Sequence, residues 1–370
     1  MANVIIIAPL NAIGGINSWS RNMRANFPKH LHKIFYIDNL AKTYQVTETN
    51  PLKKKWNLVS HKVFDLFRIL KVVKSTIIKQ NIQVLHTTTS GSAGTYRDYF
   101  VAKICKKRGV KCIMQCRYGK IPNILEKKSI YSKFLIKVMS MYDRIWVLDN
   151  KSYKVLQDFS ELNGKVEVIP NTIDCPDNCD TFPSSFKKVV FVASVVPTKG
   201  ILELVKAISN SECDFSLKVA GNASELMKNR IKEIASKKYG GKWLEILGPL
   251  ENSKAKELIK KSDILALPTY YQGEAFPISI LEAMSFGKMV VSTNRAAIPD
   301  MLKINNDKFC GVIVKEKDEI SLQNGLEFCY NNPEQANLMC RKAYEKVKNN
   351  YTNKVVFNLY SEKYNDILKN

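Results

Sequence analysis

Two carboxylates, Glu274 and Glu282, stand in the run Pro268-Thr-Tyr-Tyr-Gln-Gly-Glu274-Ala-Phe276-Pro277-Ile278-Ser279-Ile-Leu-Glu282-Ala-Met. A β-rich run ends at Leu267, so Glu274 falls in a loop and Glu282 on a helix opening near Ser279. Between them, the backbone N–H groups of Phe276, Ile278 and Ser279 lie at a helix N-terminus, where unsatisfied donors suit phosphate oxygens; Pro277 has no N–H to give. Carboxylates accept from sugar and ribose hydroxyls, and such charge-assisted hydrogen bonds contribute about 1.5–3 kcal/mol each. Hexose, diphosphate and ribose are the three parts of a glycosyl nucleoside diphosphate. A solvated loop residue and a helix-surface residue are the plainer reading of the same pair. A second candidate is Gly14-Gly15, placed between the first strand and the first helix, where backbone can approach an anionic ligand. The spacing is not G-x-G-x-x-G, so a dinucleotide fingerprint is absent, and an ordinary tight turn is the alternative.

These residues need strands that end beside one another. Short β-rich runs occupy 4–8, 33–37, 83–86, 111–115, 144–148 and 166–169, with helical periodicity between several of them. Leu52, Trp56, Val59, Val63, Leu66, Leu70, Val73 and Ile77 recur three or four apart, predicting one long helix over 52–78 that buries that face. Residues 170–187 are rich in Pro, Asn, Asp and Ser and read as a turn-rich linker. The alternation restarts at 188 and runs to 314, and the chain from 318 reads as all helix. Alternating β and α predicts parallel sheets covered on both faces. The predicted organisation is an N-terminal Rossmann-like domain over 1–172, a linker over 173–187, a second Rossmann-like domain over 188–350, and a C-terminal helix over 351–370 returning to the first domain. Open parallel sheets bind ligands at the carboxyl ends of their strands, so two facing domains predict an interdomain cleft.

The chain has 370 residues with 45% hydrophobic side chains, enough for such cores. It carries 57 Lys and Arg against 34 Asp and Glu, a formal charge of +23. Residues 1–180 hold 29 basic and 13 acidic side chains, and 181–370 hold 28 and 21, so the excess sits in the first half. Such a surface suits an anionic partner. The basic strands interleaved with aromatics that mark RNA or DNA binders are missing, which disfavours a nucleic-acid-binding protein. No apolar run of about 18 residues predicts a transmembrane helix, and the first residues read as a buried strand, not a signal peptide. Nine cysteines without paired zinc-finger spacing read as reduced thiols of a cytoplasmic protein, and no metal site is expected.

Glu274-Ala-Phe276-Pro-Ile-Ser-Ile-Leu-Glu282-Ala-Met, followed by Gly287 and a Val-rich strand, resembles the retaining glycosyltransferases of family 4, glycosyl transferases group 1, which have the GT-B fold: α/β, with two facing Rossmann-like domains. Val168-Ile-Pro170-Asn171-Thr-Ile-Asp174 is similar to that family's interdomain segment. Phe191-Val-Ala-Ser194-Val-Val-Pro-Thr-Lys199-Gly200 looks like its first C-domain strand and phosphate loop, Leu247-Gly248-Pro249-Leu250 like its nucleotide-base loop, and Gly14-Gly15 like its N-domain donor loop. The resemblance implies that Glu282 binds ribose hydroxyls, Glu274 holds the transferred hexose and Lys199 neutralises the leaving diphosphate. It implies that Gly14, Gly15, Gly248, Leu250, Phe276, Pro277 and Ile278 complete the donor site. It also implies that no metal or other cofactor is needed, because a lysine and helix N–H groups take the place of a divalent ion. Four departures stand out. Ser194 occupies the place of a common Arg, Pro277 that of a common Gly, Asp300 that of a common Glu, and Cys116-Arg117-Tyr118-Gly119 stands where a His is often found.

The resemblance implies transfer of a hexose from a UDP- or GDP-sugar to a saccharide hydroxyl with retention. The acceptor is expected to be lipid-linked, in bacterial O-antigen or capsule synthesis, with the protein peripheral on an anionic inner membrane face. Arg117 is expected near the reacting groups, and His86, Arg97 and Arg117 in acceptor contacts. A core histidine and a local Arg97–Asp98 ion pair are the structural alternatives. Other enzymes of the same fold, a sugar-nucleotide 2-epimerase or a glucan-synthase-like polymerase, are the alternative activities.

Overall fold

The computed structural model describes residues 1–10, 15–39, 51–179, 181–305 and 308–369, with backbone alone at 15, 51–62 and 93. The chain divides into two compact units, Met1–Pro170 with Val356–Asn370, and Asn171–Val355.

The first unit contains β1 (Asn3–Ala8), α1 (Gly15–Asn26), β2 (Lys33–Asp38), α2 (Pro51–Lys79), β3 (Val84–Thr89), α3 (Ala93–Lys107), β4 (Lys111–Cys116), α4 (Ile121–Glu126), α5 (Ile130–Ser140), β5 (Arg144–Val147), α6 (Asn150–Gln157) and β6 (Val166–Val168). The strands form one six-stranded parallel sheet, β2-β1-β3-β4-β5-β6. Side chains alternate across it as a strand requires. Ile5 and Ile7 pack with Ile69, Val73 and Ile77 of α2 and with Val101 and Cys105 of α3. Val4 and Ile6 face the other way, onto Trp19 and Met23 of α1 and onto the C-terminal helix. The buried face of α2 is Asp65, Ile69, Val73 and Ile77. Val63, expected inside, is 46% exposed; the apolar stripe is rotated because Phe64 and Phe67, also apolar, face solvent. Leu52, Trp56 and Val59 lie outside the residues whose side chains are described.

The second unit contains β7 (Lys188–Val192), α7 (Ile201–Asn210), β8 (Ser216–Ala220), α8 (Glu225–Ala235), β9 (Leu244–Gly248), α9 (Asn252–Lys260), β10 (Ile264–Leu267), α10 (Ile278–Ser285), β11 (Met289–Thr293), α11 (Ile298–Leu302), β12 (Val312–Val314), α12 (Glu319–Asn331), α13 (Pro333–Asn350) and the start of α14 (Asn353–Lys369). Its six parallel strands are ordered β12-β11-β10-β7-β8-β9. Taken from β7, this is the doubly wound order in which the chain reverses direction between β7 and β10. Ligand sites of such sheets lie at that switch point, beyond the strand carboxyl ends.

The stretch expected as a linker is packed against the second unit. Ile173 bridges Thr352 in parallel, and the Tyr344 hydroxyl donates to the carbonyls of Pro176 (3.0 Å) and Asp177 (2.7 Å). The polar composition of 173–187 therefore supplies backbone acceptors to α13, and the chain passes between units at Pro170–Asn171 and again at Val355–Val356. Helix α14 returns the chain to the first unit, where Val356, Phe357, Tyr360, Tyr364 and Ile367 complete the core under the sheet.

Candidate functional site

In the second unit, the loop after β7 carries Lys199 and the loop after β10 carries Glu274, so the two strands flanking the switch point each deliver one charge. Pro197–Lys199 form a single 3-10 turn that ends at Gly200. Gly200 has φ +79°, and a Cβ there would lie 2.1 Å from the Pro268 carbonyl oxygen. Only glycine lets the β7 loop close against the end of β10. The two loops are then tied directly, since the Tyr270 N–H donates to the Thr198 carbonyl at 2.8 Å. Lys199 Nζ reaches Glu274 Oε2 at 2.6 Å, and it also sits 4.9 Å from the Tyr271 ring centroid. Glu274 is 8% exposed, and its own N–H donates to the Tyr271 carbonyl (3.0 Å).

Tyr271 is a contributor that the sequence analysis does not single out. Its signal was present in Tyr271-Gln-Gly273-Glu274. A Cβ on Gly273 would fall 2.6 Å from the Tyr271 ring, so the small residue makes room for the ring beside Lys199.

Helix α10 places the second carboxylate. Pro277 caps it with extended backbone (φ −67°, ψ 120°), and Ile278 begins it. Glu282 follows one turn on, 6% exposed, and burial pushes its carboxyl up to about 7 against a lowering by Lys256. A buried carboxyl poised near neutrality accepts hydroxyl donors strongly once ionised. The Phe276 ring is turned inward, edge-on to Tyr351 at 5.5 Å, and its carbonyl accepts from Asn171 Nδ2 at 2.9 Å. Phe276 thus anchors the loop by its ring and by its carbonyl. Gly248 ends β9 with φ +72°, and its carbonyl accepts from Gly221 N–H at 2.8 Å; Leu250 follows, half-buried. Ser194 is exposed in the β7 loop, and Asp300 lies on α11, its carbonyl accepting from Lys346 Nζ at 2.7 Å.

The first-unit candidates behave differently. Gly14 lies outside the described residues, as does the expected acceptor loop over 41–50, and Gly15 begins α1. His86 is fully enclosed. Its Nδ1 is 2.7 Å from the Tyr364 hydroxyl, Trp146 stands edge-on at 4.9 Å, and burial with Arg117 nearby lowers its pKa to about 3. The expected acceptor contact has no surface to meet there, so His86 is a neutral core histidine. Arg117 is 6% exposed. Its N–H donates to the Thr89 carbonyl (2.9 Å), Nη1 donates to Gln115 Oε1 (3.0 Å), and the guanidinium lies 4.2 Å over Trp19. Arg117 therefore acts from inside the fold, joining the β4 end to α1. Arg97 forms the local pair, with Nη2 2.6 Å from Asp98 Oδ1 and 2.9 Å from the Thr88 carbonyl. That pair is next to the β3 loop, with its charge already matched.

Residues 180–346 match the model of the family described as Glycosyl transferases group 1. Among curated proteins, the chain is similar to a human protein, one of the subunits of phosphatidylinositol N-acetylglucosaminyltransferase. The two are 26% identical over 308 residues, 80% of this chain and 58% of that protein. The chain thus spans about half the length of the curated relatives it matches. Among solved structures, a glycosyltransferase from Rickettsia africae superposes with a TM-score of 0.75 at 21% identity, over 100% of this chain and 99% of that one. Anabaena Alr3699/HepE in complex with UDP-glucose superposes at 0.72 with 12% identity, over 99% and 100%. The second unit thus matches the glycosyl transferases group 1 model over residues 180–346, and the chain has the GT-B architecture of two Rossmann-like units.

Proposed function

We propose that this protein is a retaining, metal-independent glycosyltransferase that moves a hexose from a UDP- or GDP-sugar to a hydroxyl of a lipid-linked saccharide at the cytoplasmic face of an anionic membrane. The observation that carries the reading is the Lys199–Glu274 pair at the β7/β10 switch point, with Glu282 on the helix that follows. Lys199 meets the diphosphate, Glu274 the hexose hydroxyls and Glu282 the ribose. The backbone at Phe276 and Ile278 turns the α10 N-terminus toward the phosphates, with Gly248 and Leu250 at the base. The HepE complex with UDP-glucose supports the donor class by its fold, and the human relative, named for transfer to phosphatidylinositol, supports a lipid-borne acceptor.

In the reaction the anomeric carbon–phosphate oxygen bond breaks and the acceptor oxygen bonds to the same face of that carbon. The acceptor proton passes to the departing phosphate oxygen. Lys199 and the helix N–H groups stabilise the negative charge that develops on that leaving group, which is where preorganised electrostatics lowers a barrier most.

The test is a panel of UDP- and GDP-sugars with a lipid-linked saccharide acceptor, read by release of nucleoside diphosphate and by the anomeric configuration of the product, with and without EDTA. Acceptor-dependent release of a retained product in EDTA is expected. An epimerised sugar without acceptor, or stepwise glucan extension, replaces the reading with another activity of the same fold.

A further inference from the structure

Lys199 and Glu274 bind each other, and both are largely buried, with side-chain exposures of 16% and 10%. On the reading above, the same two groups serve two different parts of the donor. Building on that reading, we propose that Glu274 also acts as a product-release element: it competes with the diphosphate for Lys199, so the site holds an intact nucleotide-sugar in preference to the nucleoside diphosphate left after transfer.

The partners of Glu274 change through three states. In the structure its carboxylate is matched by the ammonium at 2.6 Å. With an intact donor bound, Lys199 can turn to the diphosphate, because the hexose hydroxyls donate to Glu274 in its place. After transfer the hexose has left with the acceptor. If Lys199 stays on the diphosphate, Glu274 is a buried carboxylate that has lost its partner, which is strongly unfavourable. Recapture of Lys199 removes that penalty and loosens the product.

The surroundings suit a side-chain exchange. The Lys199 backbone is fixed by its N–H to the Val196 carbonyl (3.0 Å) and by the Tyr270–Thr198 hydrogen bond. The Tyr271 ring, 4.9 Å from Nζ, gives the ammonium an uncharged neighbour that stays in place while its anionic partner changes. Glu274 is likewise held by its backbone to Tyr271. Only the two side-chain ends need to move.

Calorimetric titration of UDP, GDP, UDP-glucose and GDP-mannose into wild type, Glu274→Gln, Lys199→Met and the double variant tests this, with melting curves reporting that each is folded. Glutamine keeps the size and can still accept from a hydroxyl, but it cannot ion-pair. Glu274→Gln is expected to bind the preferred nucleoside diphosphate roughly five-fold or more tightly, and the wild-type preference for the intact donor is expected to collapse. In the Lys199→Met background the same substitution is expected to leave nucleoside diphosphate affinity unchanged. Unchanged or weaker binding by folded Glu274→Gln overturns the proposal. Equal tightening with Lys199 absent also overturns it, because the gain would then be removal of negative charge in general. If wild type binds none of the four ligands, the donor assignment itself falls, and this inference with it.

Discussion

At the scale of single residues, Glu282 sets a function against stability. Burial at 6% exposure raises its carboxyl to about 7 from 4.5. A raised folded-state value favours folding fully below the unfolded value, and that contribution is lost as pH rises through the folded value. At pH 8 the ionised group therefore costs the folded protein about 3 kcal/mol at most. Glu282→Gln is expected to melt several degrees above wild type at pH 8.5, with the gap closing near pH 5. The same ionised state is the one that accepts most strongly from ribose hydroxyls, so the substitution is expected to raise the donor KM while kcat changes little. The wild-type donor KM is expected to rise as pH falls below 7, and that dependence is expected to vanish in Glu282→Gln. Melting curves at the two pH values and donor titrations across them check both halves. A stability gap independent of pH would show that burial does not hold the carboxyl near neutrality. Equal donor affinity in the two proteins would remove Glu282 from the nucleotide.

At the scale of elements, the C-terminal helix belongs to the unit it does not follow in sequence. Tyr360 accepts from Trp19 Nε1 (3.2 Å) and Gln115 Nε2 (3.0 Å). Tyr364 stacks on Trp146 at 5.8 Å and meets His86 Nδ1. Lys363 reaches Glu167 at 2.6 Å, which also accepts from Trp146 Nε1. Tyr364→Ala opens a large cavity beside His86 and is expected to cost about 3–5 kcal/mol. Tyr364→Phe removes only the hydroxyl and is expected to cost about 1 kcal/mol by leaving His86 Nδ1 without its partner. Denaturant unfolding followed by Trp19 and Trp146 fluorescence measures both, and equal losses in the two variants would mean that the ring's packing is immaterial. The sheets were legible in the sequence because runs such as Val4–Ala8 are apolar on both faces of a strand, a local property. Glu274 and Glu282 were legible for the same reason, being fixed by one loop and one helix. The pairing of Lys199 with Glu274 was not, because 75 positions separate them and only the switch-point topology joins their loops. His86 could not be placed from sequence either: its enclosure depends on Tyr364, a residue 278 positions away. The α2 face was misjudged where solvent-facing Phe64 and Phe67 blurred the helical stripe.

At the scale of the whole molecule, the formal +23 gains a location. Helices α2, α3 and α5 share one face of the first sheet, and their outer surface exposes Lys71, Lys74, Lys103, Lys107, Lys133 and Lys137. On the same layer Phe64 is 63%, Phe67 65% and Ile130 90% exposed. Apolar side chains among lysines are well suited to the headgroup region of a bilayer. No described helix is long and apolar enough to cross a membrane. Each lysine near an acidic surface contributes about 1 kcal/mol, screened within a Debye length of about 8 Å at physiological salt. Sedimentation with phosphatidylglycerol–phosphatidylcholine vesicles is therefore expected to capture the protein at low salt, and pure phosphatidylcholine to capture far less. Raising the salt to 0.5 M, about the range where such pairs are screened, is expected to release most but not all of it. The remainder belongs to the aromatic side chains, and Phe64→Ser with Phe67→Ser is expected to abolish it while leaving the low-salt binding largely in place. Capture that ignores lipid charge would remove the lysines from the argument, and salt-proof capture by the double serine variant would remove the phenylalanines. Holding the first unit on the membrane would raise the local concentration of a lipid-linked acceptor, because encounter would then be confined to a surface instead of the full volume. The charge excess of the first half would then govern how often the second half's donor chemistry finds a substrate.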